Sequence, residues 1–487
     1  MHKIRFIVFL TIITLFCLIF FSFFMQGLPR FWHDDIFYYE NINETPYSEI
    51  LLRIVDIFHK TPFVRETNYL IAKLNTDLFG ENLFLYRITK MLVVSLSVCI
   101  GSFFLFRDHK KPFIILASFL LFITSPVTLI EASWITTTGQ WTLLAKLISF
   151  MLFSFLYQRS KTDIVYMLFV YLMIAVAFFA IGAREDFIIS PAVMFAFLLL
   201  KRSRDFRLYA VVAVITLIVF PYYLFWDKGD NVTFRLANVG LFMVLFKQIL
   251  ILLPFVGLAV YMHLTKKRLV LSDAAFLSLI WVTFEAVFVF FYPSSEMRYL
   301  TSLFFAVLLL FVPLLQETFL AYSVHRSARI VLVFTLLLGF QLFTNTSWAY
   351  SFRGSFGSSM LSIDKMMTHI NKKYSNSLCL YEHFTLQFYA WKTSNHYVNI
   401  FQNCSGCAQM NFEEYFTRRK DDAGKSYITV KHPDTYTHII YLNKLAIKYN
   451  KSTSQHNALF ITEGINKTLY DKIQQTFMLP IYSTSLY

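Results

Sequence analysis

Charge is what this chain has least of. Lys, Arg, Asp and Glu make up 15% of its 487 residues, against roughly 25% in ordinary soluble domains, which excludes a soluble enzyme. Gly (14) and Pro (12) are also scarce, so collagen-like, low-complexity and disordered readings lack their compositional basis. What remains is apolar: 56% of the residues are hydrophobic, and 56 Phe, 28 Tyr and 7 Trp bring the aromatics to 19%. That composition predicts a polytopic α-helical membrane protein. The formal net charge of +14 would suggest nucleic acid in a soluble chain, but in a membrane protein basic residues collect in cytoplasmic loops. Their placement decides between the two.

The first apolar run, Phe6 to Phe24, follows Lys3 and Arg5 and is long enough to cross a hydrocarbon core of about 30 Å. No small-residue cleavage site follows it, so it reads as a retained anchor and not a signal peptide. Further runs lie at about 88–106, 113–130, 141–157, 164–181, 187–200, 208–226, 239–262, 274–292, 299–315 and 328–345, for eleven expected crossings. With a cytoplasmic N-terminus, the cytoplasmic loops carry Arg107, Lys110 and Lys111; Arg159 and Lys161; Lys201, Arg202, Arg204 and Arg207; Lys266, Lys267 and Arg268; and Arg326 and Arg329. The short loops on the other side hold little beyond Arg184, Lys228, Arg235 and Arg298, each with acidic neighbours. This is the asymmetry of the positive-inside rule, so no nucleic-acid partner is expected. The run 187–200 has 14 residues and contains Pro191, which also fits a re-entrant segment. It is kept as a crossing because its loss would move every later basic loop to the other side.

Two polar regions are then expected outside, the loop 25–87 and the tail 346–487, with residues 1–345 forming the membrane module. The tail alternates strand-like runs (Leu378–Tyr381, His438–Leu442, Ala458–Thr462, Met478–Tyr482) with helix-like stretches (Phe384–Trp391, Asn466–Thr476), the pattern of a small extracytoplasmic α/β domain. Cys404 and Cys407 in it suit a local disulfide better than half a zinc site, which would need further ligands. Six Asn-x-Ser/Thr sequons, at Asn43, Asn231, Asn345, Asn403, Asn450 and Asn466, are all expected outside. The Phe-, Ile- and Lys-rich, Gly- and Ala-poor composition suggests an AT-rich genome and a bacterial inner membrane.

The adjacent carboxylates Asp34 and Asp35 stand in the first outer loop among Phe31, Trp32, Phe37, Tyr38 and Tyr39. Aromatics are expected at headgroup level; two acids among them are not. A low-dielectric surface disfavours a carboxylate's charged form and moves it toward the range of a general base, although a solvated acidic loop or a helix cap would use the same residues. Lys146, Lys247 and Glu285 fall within the outer halves of crossings, where charge is costly and needs a function or a partner. Snorkelling would explain Lys146, and a mutual ion pair would explain Lys247 and Glu285. Glu131, Arg184, Glu185, Asp186, Glu296 and Arg298 lie just outside the same face. Carboxylates, cations and apolar walls together suit a lipid-linked phosphosugar, whose chain needs a groove, whose phosphate needs Arg or Lys, and whose acceptor needs a base.

One crossing followed by HDDIFYY, then His59, Pro62, the step Leu78-Phe79-Gly80-Glu81-Asn82 and Arg87, resembles the GT-C superfamily of polyprenyl-phosphate-sugar-dependent glycosyltransferases. That superfamily includes the protein O-mannosyltransferases and the bacterial transferase that adds aminoarabinose to lipid A. Ser125-Pro126, Arg184-Glu185 with Pro191, and Met297-Arg298-Tyr299 extend the resemblance in order over residues 1–320. It implies a polyprenyl-phosphate-linked sugar donor, a glycan, lipid or protein acceptor, and an inverting transfer among membrane lipids. By the same resemblance Asp34 is the base and Asp35 orients it or the acceptor. Arg298, Arg184, Lys146 and Arg65 are candidates for the donor phosphate, and Glu131, Glu185 and His59 for the sugar or acceptor. The family often has Asp-Glu where this chain has Asp-Asp. Two adjacent carboxylates can hold Mg²⁺ or Mn²⁺, but hard cations take more oxygens than these supply, so no obligatory metal is expected. A lipid-sugar flippase or transporter, or an O-antigen polymerase or ligase, is the competing expectation.

Overall fold

The structure is a computed structural model. It describes residues 2–25, 45–56, 66–79, 83–108, 112–133, 138–159, 163–224, 239–250, 272–291, 300–321 and 324–352, isolated positions between 253 and 265, and six strands of the tail. The described helices are α1 (His2–Met25), α2 (Tyr47–Val55), α3 (Glu66–Phe79), α4 (Leu83–Asp108), α5 (Pro112–Thr124), α6 (Pro126–Ser133), α7 (Gly139–Gln158), α8 (Ile164–Ala183), α9 (Ile189–Leu200), α10 (Phe206–Leu224), α11 (Val239–Ile249), α12 (Asp273–Phe291), α13 (Thr301–Ala321) and α14 (Val324–Phe352). A 3-10 turn, Glu185–Ile188, leads into α9. These helices make one compact unit, ending at Ser351, and the six strands belong to a second.

Each predicted apolar run carries helix. Among the described residues, five helices are long and apolar enough to cross a membrane, and six if the bent pair α5–α6 counts as one span. Their bend of 54° has a local cause. Pro126 disfavours helical backbone at the residue before it, and it is preorganised for the first turn of the helix it opens. Ser125 sits at the break and its Oγ accepts from the Thr128 N–H at 3.2 Å. The effect is to turn α6, and with it Glu131, away from the α5 axis.

The helices pack through rings set against small residues. Phe305 of α13 lies edge-on to Phe122 of α5, with centroids 4.8 Å apart, and tilted to Phe119 at 5.5 Å. Gly101 of α4 makes room for it: an added Cβ would stand 2.8 Å from Phe305 Cζ. Gly182 does the same for α3 against α8, since a Cβ there would lie 2.6 Å from Thr67 Oγ1, which instead donates to the Phe179 carbonyl at 2.7 Å. Between α11 and α14, Gln341 bonds Gln248 at 3.5 Å and Asn345 at 3.1 Å, and Asn345 reaches Thr124 at 3.4 Å. Asn345 is therefore buried inside α14, which runs to Phe352.

In the second unit β1 (Ser377–Tyr381), β2 (His396–Asn399), β5 (His438–Leu442) and β6 (Leu459–Glu463) form a sheet in the order β2-β1-β5-β6. β1 is parallel to both β2 and β5, while β5 and β6 are antiparallel. β3 (Phe416–Lys420) and β4 (Ser426–Val430) pair as an antiparallel hairpin. β1, β5 and β6 fall on predicted runs; β2, β3 and β4 were not foreseen. The predicted strand Met478–Tyr482 and both helix-like stretches of the tail lie outside the described residues.

Candidate functional site

The first turn of α7 organises one end of the helical unit. Thr138, its N-cap residue, donates its hydroxyl to the Ala183 carbonyl at 2.5 Å, joining the start of α7 to the end of α8. Gly139 donates its backbone N–H to Glu131 Oε1 at 2.9 Å, which satisfies one of the orphan donors at the helix start. Arg184 follows α8 in extended backbone, φ −163° and ψ 142°. A Cβ on Gly139 would lie 2.6 Å from Arg184 Nη1 and 2.7 Å from Glu131 Oε1, so the guanidinium and the carboxylate both close over this position, and a larger residue would have to displace them. Lys90 of α4 adds a cation, its Nζ donating to the Glu131 backbone carbonyl at 3.4 Å. All three charged side chains are buried, at 5%, 1% and 2% exposure for Arg184, Glu131 and Lys90.

A second tier lies deeper. Asp186 places Oδ1 3.6 Å from Arg184 Nε and accepts from Lys146 on Oδ2 at 2.8 Å. Lys146 is wholly buried. It also donates to Glu285 Oε1 at 2.5 Å and to Ser302 Oγ at 3.1 Å. Ser302 passes its own proton donor to Glu285 Oε1 at 2.5 Å, and Trp281 Nε1 donates to the same oxygen at 3.0 Å. An ammonium has three N–H bonds, and these three partners take all of them. Charges of both signs survive burial here because each is paired and hydrogen-bonded. The result is a continuous chain from Arg184 through Asp186 and Lys146 to Glu285 and Ser302, with Glu131 beside Arg184 over Gly139, and it ties together α7, α8, α12 and α13.

The opposite ends of these helices hold a different set of charges. Lys201 after α9 pairs with Asp273 at the start of α12 at 2.7 Å, and lies over the rings of Phe197 and Phe276. Asp163 caps α8 by accepting from the Tyr166 N–H, and pairs with Arg159; the Arg159 hydrogen bond holds its carboxyl below the usual range. Arg207 does the same for Asp205.

Of the residues singled out in the sequence, Arg184, Glu131 and Lys146 come together in this cluster. Glu185 lies in the 3-10 turn. Asp34, Asp35, His59, Arg65 and Arg298 lie outside the described residues. Two expectations are corrected. Lys146 does not snorkel, because two carboxylates face it inside the bundle. Glu285 pairs with Lys146 and not with Lys247, whose side chain is exposed on α11. Sequence reasoning missed Lys90, Gln140, Trp281 and Ser302 as members of this region. Lys90 had a usable signal, since it follows Arg87 by three residues on one helix face; Ser302 and Trp281 had none, being common residues in apolar helices.

Among the described residues no group of three or more His, Cys, Asp or Glu side chains is placed to hold a metal ion. No protein-family model matches the sequence, and no curated protein sequence matches it. Among solved structures, the chain is similar to the crystal structure of ArnT from Cupriavidus metallidurans bound to undecaprenyl phosphate, at 14% identity and a TM-score of 0.48, over 82% of this chain and 86% of that one.

Proposed function

We propose that this protein is a membrane glycosyltransferase of GT-C type, moving a sugar from a polyprenyl-phosphate donor to a hydroxyl of a glycan, lipid or protein acceptor. The observation that carries the reading is the buried ionic cluster of Arg184, Asp186, Lys146 and Glu285, with Glu131 beside it, at one end of an apolar helical bundle. Fixed cations and dipoles in a water-poor site stabilise a departing phosphate strongly, and the apolar helices around them suit a lipid chain. The basic residues Arg159, Lys201 and Arg207 stand at the other ends of the same helices. By the positive-inside rule this supports an extracytoplasmic site.

In the proposed reaction Asp34 takes the proton of the acceptor hydroxyl, and Asp35 orients Asp34 or the acceptor. The acceptor oxygen bonds to the anomeric carbon as that carbon's bond to the phosphate oxygen breaks. Polyprenyl phosphate leaves with the electron pair, the proton stays on the carboxylate, and the anomeric configuration inverts. Arg184, with Arg298 and Arg65, holds the phosphate, while Glu131, Glu185 and His59 face the sugar or acceptor. Lys146 acts from behind, because its N–H bonds are committed to Asp186, Glu285 and Ser302. The external tail contributes to acceptor recognition.

The test is lipid and glycan analysis of a deletion strain. Accumulated polyprenyl phosphosugar together with a missing glycan residue supports the transferase, and restoration by the wild-type gene but not by Asp34→Asn, in protein shown to be inserted and folded, supports the base. A flippase or transporter would move the lipid without forming a glycosidic bond, so purified protein that forms none from a phosphosugar donor and native acceptor would end the enzyme reading.

A further inference from the structure

Gln140, the second residue of α7, is fully buried, yet neither its Oε1 nor its Nε2 has a hydrogen-bond partner. An unmade hydrogen bond in a buried primary amide is costly, and native interiors leave very few of them. Here both halves of the amide, acceptor and donor, are left open at once. The neighbourhood is polar: the preceding residue, Gly139, carries Glu131 on its N–H and lies under the Arg184 guanidinium.

Gln140 lies in the first turn of α7, so its open amide is at the polar end of the helix, beside Arg184 and Glu131, whereas Leu147, two turns further along, lies among the apolar side chains Phe104, Phe150, Trp281 and Leu309. A primary amide offers one acceptor oxygen and two N–H donors side by side, the complement of neighbouring sugar hydroxyls, which donate and accept in the same way.

We infer that Gln140 reads hydroxyl groups of the sugar carried by the lipid-linked donor, and so sets sugar specificity while Arg184 serves the phosphate. This rests on the donor class given under Proposed function. The experiment measures binding of full-length protein in lipid nanodiscs to polyprenyl phosphate and to a panel of polyprenyl phosphoglucose, phosphogalactose and phosphomannose. The wild type is expected to hold at least one phosphosugar more tightly than bare polyprenyl phosphate. Gln140→Met, similar in volume and without polar atoms, should weaken that phosphosugar about tenfold, the scale of one lost hydrogen bond of moderate strength, and leave bare polyprenyl phosphate unchanged. Its thermal stability should not fall, because the unmade bonds are gone; Gln140→Glu, which keeps the acceptor and loses the donors, should retain part of the preference. An unchanged phosphosugar preference in Gln140→Met would overturn the inference and leave the donor class standing, as would an equal loss for both lipids. Wild-type protein that binds neither lipid would remove the donor reading and the inference together.

Discussion

Replacing Lys146 by Met tests the ionic chain at its centre. The side chains are close in length, so the change mainly removes a charge and three N–H donors. Glu285 loses its ammonium at 2.5 Å but keeps Ser302 and Trp281 as donors, and Asp186 keeps Arg184 at 3.6 Å. Both carboxylates stay buried, at 1% and 3% exposure. Breaking a buried pair by removing one partner costs about 3–5 kcal/mol, and that is the loss expected for Lys146→Met. It is a large part of the roughly 5–15 kcal/mol that holds an ordinary domain. Adding Glu285→Gln removes the stranded charge, so the double variant should be more stable than Lys146→Met alone, with a coupling energy of about 0.5–3 kcal/mol for residues in direct contact. Equilibrium unfolding in mixed lipid–detergent micelles, followed by tryptophan fluorescence, gives the four corners of the cycle, and Trp281 is itself a reporter within the cluster. A cost below about 1 kcal/mol for Lys146→Met, the scale of an exposed pair, would refute the buried network; so would additive single effects.

Three other expectations are more local. Gly139→Ala should lower stability by about 1–3 kcal/mol, the usual cost of overpacking, and lower transfer activity, because the new methyl meets Arg184 Nη1 and Glu131 Oε1; melting temperature and turnover both unchanged would contradict the geometry. Tyr47 of α2 donates its hydroxyl to Asp77 of α3 at 2.5 Å, and its pKa is raised from 10.0 to about 12 by partial burial first and then by the Asp77 hydrogen bond and charge. Since the folded pKa is the higher one, this contact is intact below pH 10 and is lost as pH rises from there through about 12; a phenolate absorbance titration of wild type against Tyr47→Phe checks it, and an ordinary tyrosine titration would sink it. Chelation with EDTA should leave transfer rates unchanged, because Asp34 and Asp35 alone offer too few oxygens for Mg²⁺ or Mn²⁺; activity lost to EDTA and restored by either ion would reverse that view.

The helices were legible because hydrocarbon imposes a length and a composition on anything that crosses it. That rule located the apolar runs, and the basic loops gave the orientation proposed for them. It also marked Lys146 and Glu285 as charges needing an explanation. What it left open was the choice of partner, because pairing depends on how helices rotate against each other. From depth alone Lys247 and Glu285 were expected to pair with each other, yet Lys247 faces outward on α11 and Lys146 faces Glu285 of α12. The burial of Asn345 was hidden for the same reason: a sequon is a three-residue pattern, whereas burial depends on Gln341 one turn earlier and Thr124 over two hundred residues away in sequence. Gln140 carried no signal at all, since a glutamine at a helix start is ordinary until its amide is found enclosed and unpartnered.

The two tiers of the chain divide binding from support, and kinetics can separate them. Gly139, beside Arg184 and Glu131, begins α7, whereas Lys146 lies seven residues along it, about 10 Å deeper. Only the upper tier stands at the helix ends, where the proposed phosphosugar donor would arrive; the lower tier reaches it through Asp186, which holds Arg184 with one oxygen and Lys146 with the other. An Arg184→Lys change keeps the charge but loses the planar fork that matches phosphate, so it should raise the donor KM by about tenfold or more with a smaller effect on kcat. A Glu285→Gln change leaves Arg184 and its charge in place but loosens Lys146 and, through it, Asp186. The misplacement is felt where geometry must be tightest, in the transition state, so kcat should fall while the donor KM stays within about twofold. The reverse pattern, with Glu285→Gln acting on KM and Arg184→Lys on kcat, would mean that the deeper tier meets the donor and that the order of the two tiers is inverted.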